Sequence, residues 1–357
     1  YFGELEHTFD YGGVLKFSAR RYSRDVSIKS ALSLTPVDRA TGNFDLFTFA
    51  RDFDEDTDFV DLNLTSPFSA LGTSGEITVG ADYRSTSQTM KQNFDFSAGP
   101  QNINTFDPTS IPEPSITFPG VGPGFRLNTD TDTDEYGLYA QARFDLSARS
   151  KLSLGTRYVI YDSTARDTGR GIVRSDISEK RFVSNIGLTY DINQNLTAYG
   201  GYSDIFQPQV EQRSDGSQLE PVIGQQVELG LKGSFNGGRL TTQTAIFYIK
   251  DRNRAVPDVI NPGAFTQGGK STTKGFEALV QGQVSANWMI SGGYTYVDTD
   301  RVDDPTSPHN LTLWGRYTVP QGPVAGMDFG LGIRAASSFK SQSGDITINA
   351  PGYVVAD

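Results

Sequence analysis

The chain has 357 residues, no cysteine and a net charge of −11, which excludes disulfide scaffolding, thiol chemistry and a basic nucleic-acid-binding surface. Only 36% of residues are hydrophobic, and no apolar run approaches the ~18 residues of a membrane helix, so a helical membrane protein is excluded. The 38 glycines and an aromatic content of 11% suit many twisted strands, and a strand that crosses a membrane needs only one apolar face.

Period-two alternation predicts strands near 3–10, 14–23, 44–53, 59–66 and 76–87, with 26–35 as a further candidate. The acidic runs Asp52-Phe53-Asp54-Glu55-Asp56 and Asp130-Thr131-Asp132-Thr133-Asp134-Glu135 read as solvated loops. Residues 95–129 carry Pro100, Pro108, Pro112, Pro114, Pro119 and Pro123. Proline cannot donate to a ladder, so this stretch reads as one long loop. Further strands are predicted at 135–145, 151–160, 179–191, 196–203, 227–235, 240–250, 276–284, 288–296, 308–320 and 328–338, with another starting near Gly352. The total of about sixteen exceeds what an open sheet usually holds without closing or splitting.

From about residue 135 to 320 the connections alternate. Short polar turns occur at 191–195, 236–238 and 285–287, and long polar connections at 163–178, 204–224 and 251–271. Each hairpin is therefore tight at one end and wide at the other. An up-and-down barrel in an outer membrane keeps that rhythm, whereas a sandwich rarely does. The faces agree. Val227, Leu229, Leu231 and Phe235 alternate with Glu228, Lys232 and Ser234, and Leu152, Leu154 and Ile160 alternate with Ser153 and Arg157. The expectation is leucines toward lipid and Glu228, Lys232 and Arg157 toward a wet lumen. Asn236-Gly237 suits the positive φ values of a type I′ turn. Tyr158, Tyr190, Tyr199, Tyr202, Trp288, Tyr294, Tyr296, Trp314 and Tyr317 lie mostly toward strand ends, where interfacial girdles place such rings.

The segment Gly201-Tyr202-Ser203-Asp204-Ile205-Phe206-Gln207-Pro208-Gln209 is followed by Leu219-Glu220-Pro221 running into Gln225-Gln226-Val227-Glu228-Leu229-Gly230-Leu231-Lys232-Gly233. Gly238-Arg239-Leu240, Ala245-Ile246-Phe247, Gly275-Phe276-Glu277, Gly292-Gly293-Tyr294-Thr295-Tyr296 and Ser307-Pro308-His309-Asn310-Leu311 come next. In this order they resemble the barrel of TonB-dependent outer-membrane receptors, the ferric-siderophore subgroup above all. The resemblance covers 135–357 strongly and 1–94 more weakly through Leu5-Glu6-His7-Thr8-Phe9-Asp10.

The resemblance implies an all-β, transmembrane antiparallel up-and-down barrel, here a part of about 22 strands. Residues 1–357 would be part of that one barrel domain, with the N-terminal plug and its TonB box, and roughly the last three strands, outside the sequence. It implies TonB-dependent import of a ferric siderophore across the outer membrane of a Gram-negative bacterium, with the ferric siderophore, the TonB complex and outer-membrane lipid as partners and no nucleic acid. A different cargo, such as a vitamin, an oligosaccharide or another metal chelate, stays open, as does a passive porin.

Ligand-binding candidates are Tyr161, Phe206, Gln207, Gln209, Arg252 and Arg254, aromatic and donor side chains at strand ends or in the adjacent long connections. No cofactor is expected, since the iron arrives wrapped by its chelator. His7 and His309 are far apart, and no nucleophile, general base or metal-ligand spacing is visible, so no enzyme activity is expected. His309 is expected to cap a strand start, and Glu228 and Glu277 to meet lumen water, Lys232, Arg157 or basic groups of a plug.

Overall fold

The computed structural model describes residues 1–70, 72–114, 125–301, 304–343 and 346–357. Its strands, in chain order, are β1 Phe2–Thr8, β2 Val14–Ser33, β3 Asn43–Ala70, β4 Thr73–Asn102, β5 Phe125–Asp145, β6 Ser150–Asp167, β7 Ile172–Asn193, β8 Leu196–Gln207 and β9 Val222–Phe235. They continue as β10 Leu240–Pro257, β11 Phe265–Gln283, β12 Trp288–Thr299, β13 His309–Thr318, β14 Asp328–Ala336, β15 Phe339–Ser343, β16 Ile346–Ala350 and β17 Tyr353–Ala356. Strands β1 to β14 pair in chain order, β17 pairs with β14, and β15–β16 is a separate hairpin. No helix among the described residues is long and apolar enough to cross a membrane.

Strands are longer and fewer in the first half than the sequence suggests. Residues 14–23 and 26–35 join in β2, 44–53 and 59–66 join in β3, and β4 runs on through Pro100 to Asn102. The acidic runs at 52–56 and 130–135 are ladder, not loop. The connection expected over 163–178 is a hairpin whose turn is only 168–171. Of the proline-rich loop expected over 95–129, the first part is strand, Pro108–Ser110 form a single 3-10 turn, and residues 115–124 lie outside the described residues.

The chain divides into two compact units. One comprises Tyr1–Leu64, Gly80–Leu138 and Tyr158–Lys180. Its acidic residues are cross-strand partners: Arg84 meets Glu135 at 2.8 Å, Gln88 donates to Glu55 at 2.6 Å, Tyr83 donates to Asp134 at 2.7 Å and Ser87 to Asp132 at 2.9 Å. Opposite charges and donor–acceptor pairs across a ladder stabilise strands as apolar pairs do. Its small core alternates along β3 through Phe44, Leu46, Thr48 and Ala50, all buried.

The other unit comprises Thr65–Val79, Tyr139–Arg157 and Arg181–Asp357. Here register separates two faces. Tyr202, Val227 and Tyr248 form one cross-strand row, Gly200, Leu229 and Ile246 the next, and Ala198, Leu231 and Thr244 the one after. On this face Leu229 and Ile246 are each 55% exposed, which is what a lipid-facing band leaves bare. Leu152 lines a shallow apolar groove with Ile186, Leu188 and Leu229.

The opposite face is polar. Glu228 accepts from the Tyr199 hydroxyl at 2.5 Å and from Gln226 at 3.3 Å, while the Lys232 ammonium lies 4.8 Å from the Tyr199 ring centroid. Gly155 packs against Asn185 on this side, which places Arg157 there by alternation. Two expectations need correction. Tyr199 and Trp314 are not girdle rings: Tyr199 lies over Gly230 and Trp314 over Gly330 and Gly332, all on the polar face. A glycine opposite a large ring leaves the backbone open for that ring to lie flat. Tyr190, Trp288 and Tyr317 do line one end of the apolar face, and Tyr202, Tyr248, Tyr294 and Tyr296 the other.

Within this unit Leu196 pairs with Gly233 and Gln207 with Val222, so the turn at Asn236-Gly237 lies at the end opposite Pro208. Asn236 has φ 54° and Gly237 φ 67°, and Gly238 N–H bonds the Phe235 carbonyl at 3.1 Å, the turn that the Asn-Gly pair favours.

Candidate functional site at the long-connection end

The long connections 208–221 and 258–264 emerge at the same end, since β8–β9 and β10–β11 are successive antiparallel hairpins. Pro221 enters β9 with its fixed φ and is buried, as are Leu219 and Val222. These apolar side chains anchor the first connection, and polar side chains then bind it to β10 and β11.

Gln209 is the central tie. Its amide nitrogen donates to the Glu220 carbonyl at 2.5 Å and the Asn253 carbonyl at 2.6 Å, and its amide oxygen accepts from the Ala255 N–H at 2.9 Å. It is buried, so its hydrogen-bonding capacity goes to shaping the loop. Arg213 reaches the Gln218 carbonyl at 2.6 Å and Gln267 Oε1 at 2.8 Å, and Phe265 N–H bonds the Gln212 carbonyl at 2.9 Å. Arg213, Gln267 and Asn253 were not among the sequence candidates, because an isolated polar residue in a polar loop carries no sign of its partner.

Arg254 forms a two-point ion pair with Asp251, Nε to Oδ1 at 2.6 Å and Nη2 to Oδ2 at 2.6 Å. Asp251 is buried, and the guanidinium supplies the donors that its burial requires. Arg252 points the other way. It pairs with Ile223 and Lys270, and Ile223 pairs with Phe206, so Arg252 and Phe206 prolong the apolar face. Gln207 pairs with Val222 on the polar face, and its exposed side chain has no hydrogen bond among the described residues. Tyr161 lies half-buried in β6, within the first unit. The structure thus assembles Phe206, Gln207, Gln209, Arg252 and Arg254 around one pair of connections but divides them between two faces.

The tips are partly apolar. Val259 is 94% and Ile260 83% exposed, held in a turn where the Asn261 amide and the Ile260 N–H bond Asp258 and keep its carboxyl below the usual carboxylate range. In the other connection the Ser217 hydroxyl and N–H do the same for Asp215. At the start of β13, His309 Nδ1 shares a hydrogen bond with the Tyr294 hydroxyl at 2.8 Å, and its N–H bonds Ser337 Oγ at 3.1 Å. No cluster of His, Asp and Glu among the described residues could hold a metal ion.

Residues 1–357 match the family model described as TonB dependent receptor-like, beta-barrel. The chain belongs to that family. It is therefore an outer-membrane β-barrel sequence of a Gram-negative type. The ferric-pyoverdine receptor PbuA of a Pseudomonas species is 30% identical over 99% of this chain and 46% of its own length. The ferrichrome outer membrane transporter/phage receptor of Escherichia coli is 26% identical over 97% of this chain and 46% of its own. The crystal structure of the ferripyoverdine receptor of Pseudomonas aeruginosa bound to ferripyoverdine superposes with a TM-score of 0.82 at 25% identity, covering 99% of this chain and 48% of that one. The chain spans about half the length of the curated relatives that it matches.

Proposed function

We propose that this chain is part of a receptor that imports a ferric siderophore across the outer membrane, driven through the TonB system. The agreement in sequence over nearly the whole chain with a ferric-pyoverdine receptor carries this reading, and the likeness to a structure that holds ferripyoverdine supports it. The apolar face of β8 to β11 meets lipid acyl chains, and the polar face lines the interior. No catalytic step and no nucleic acid belong to this function.

The residues contribute in distinct ways. Gln209, Arg213 and Arg254 hold the connections in shape rather than offering donors to a ligand. Gln207 is the candidate whose amide is open on the polar face, and Tyr161 offers a half-buried ring in the first unit. Exposed Val259 and Ile260 suit the apolar rim of a chelate, whose carbonyl or phenolate oxygens need only a few donors.

The test is growth of iron-limited cells carrying the complete receptor, with and without TonB, on a panel of purified ferric chelates. The expected result is growth on a restricted set of chelates and only with TonB. Uptake indifferent to TonB, or growth on small solutes without chelate preference, would point to a passive pore instead.

A further inference from the structure

Where β3 and β4 meet the connections 34–42 and 103–114, one face of β3 is buried through Phe44, Leu46, Thr48 and Ala50. The opposite face carries an aromatic patch. Its register follows from three contacts: the Thr57 and Thr86 hydroxyls meet at 3.1 Å, Gln88 donates to Glu55 at 2.6 Å, and Arg51 donates to Gln92. Carried further along the two strands, that register sets Phe49 against Phe94 and Phe47 against Phe96, with ring centroids 6.1 and 5.6 Å apart. Phe47 and Phe96 are inclined by only 26°. Phe47, Phe49 and Phe94 are half-buried and Phe96 is 40% exposed, so the patch offers open ring area.

Three arginines share this face, and two are neutralised within the chain. Arg24 pairs with Glu55 at 3.3 Å and Arg84 with Glu135 at 2.8 Å. Arg51 has no carboxylate partner among the described residues. Its Nε donates to Gln92 Oε1, and its Cζ lies 5.7 Å from the centroid of Phe49. Gln92 is 2% exposed, so the guanidinium is oriented by a buried neutral amide that leaves its charge uncompensated. Both terminal nitrogens of Arg51 stay without a hydrogen bond among the described residues. A guanidinium held at Nε and over a ring presents its remaining fork to one planar, two-oxygen acceptor.

We propose that this patch binds a small aromatic carboxylate. The carboxylate takes the two terminal nitrogens of Arg51, and the ring lies on Phe47 and Phe96 in the next row. Aromatic rings favour offset or edge contacts with one another over the same range of separations seen among these four. An inorganic anion would leave the rings unused, and a neutral arene would leave the charge of Arg51 unmet.

The test uses the complete receptor in detergent, with salicylate, benzyl alcohol and cyclohexanecarboxylate as probes, read by titration calorimetry and by saturation transfer to the probe protons. Salicylate should bind saturably, and more weakly as salt is added. Benzyl alcohol lacks the charge and cyclohexanecarboxylate the flat ring, and each should bind roughly tenfold less well or worse. Arg51→Gln, shown to be folded by its heat-modifiable migration, should lose at least about tenfold in salicylate affinity. Gln92→Glu keeps the size of the buried side chain but supplies Arg51 with an internal carboxylate. It should suppress salicylate binding even if Arg51→Gln folds poorly. Equal affinity in wild type and either variant, equal affinity for salicylate and cyclohexanecarboxylate, or no saturable binding of salicylate would overturn the proposal. The probes carry no iron, so the outcome is independent of whether the receptor imports a chelate.

Discussion

Arg252 and Arg254 are two residues apart yet project from opposite faces of β10, because Asn253 occupies a bulge between them with a φ of 69°. Simple alternation would put both on one face. The bulge sends Arg252 toward Lys270 and Arg254 onto Asp251, so one arginine belongs to the outer surface and the other to the scaffold of the loops. Bulges re-aim side chains in this way near functional sites.

That geometry constrains what position 253 accepts. Asparagine tolerates the left-handed region and here also donates to the Pro221 carbonyl at 3.3 Å. Asn253→Gly should keep the fold and the bulge. Asn253→Val should cost about 1–2 kcal/mol from backbone sterics alone and should loosen the 208–221 connection, visible as faster amide exchange there.

Removing the Gln209 side chain should have a larger local effect. Gln209→Ala removes the side-chain partner of the Asn253 carbonyl and the Ala255 N–H and leaves the Glu220 carbonyl with the Gln267 amide, at about 1–3 kcal/mol for such an unmet buried group. Limited proteolysis should then cut within 208–221 while the strands stay protected. Unchanged protection of that segment would show that Leu219 and Pro221 suffice to hold it.

The two faces predict unequal responses from neighbouring residues. Leu231→Arg should destabilise the refolded receptor by about 2–4 kcal/mol if it sits near the bilayer midplane. Lys232→Leu forfeits the contact with the Tyr199 ring, about 0.5–1 kcal/mol. Refolding titrations in lipid vesicles separate the two, and similar losses would mean that the faces are assigned wrongly.

Acid should act on the β6–β7 turn. Asp167 is buried, bonded by Arg174 Nη2 at 2.6 Å and by the Arg170 N–H at 3.1 Å, and the Arg174 contact holds its carboxyl below the ordinary value of 3.8. A lowered folded value means that the stabilisation is complete above the unfolded value and is lost as pH falls through the folded one. Amide exchange at 168–171, taken relative to the intrinsic rate at each pH, should therefore be flat above about pH 5 and rise below about pH 4. Asp167→Asn should raise it at neutral pH and flatten the acid limb.

Part of this was legible in the amino acids. Val227–Phe235 alternates cleanly because one face meets apolar surroundings, so its faces could be read directly. Asp130–Glu135 could not be: Asp132 pairs with Ser87, Thr133 with Ser163 and Asp134 with Tyr83. A ladder polar on both faces has the composition of a loop. Tyr199 and Trp314 were misplaced by residue type, although the parity of their neighbours pointed inward. For the site, the strand ends were readable and the ties were not. Gln209 and Arg254 look like open donors in sequence, and only their partners reveal that they are already committed.

The tethering of 208–221 through Gln209, Arg213 and Leu219 also bears on the thermodynamics of capture. A connection tied by its own side chains has surrendered its backbone freedom during folding, so a ligand meeting it has little ordering left to cause. Association there should resemble docking onto a rigid surface, with a heat-capacity change set by the area covered and not by a segment folding around the guest.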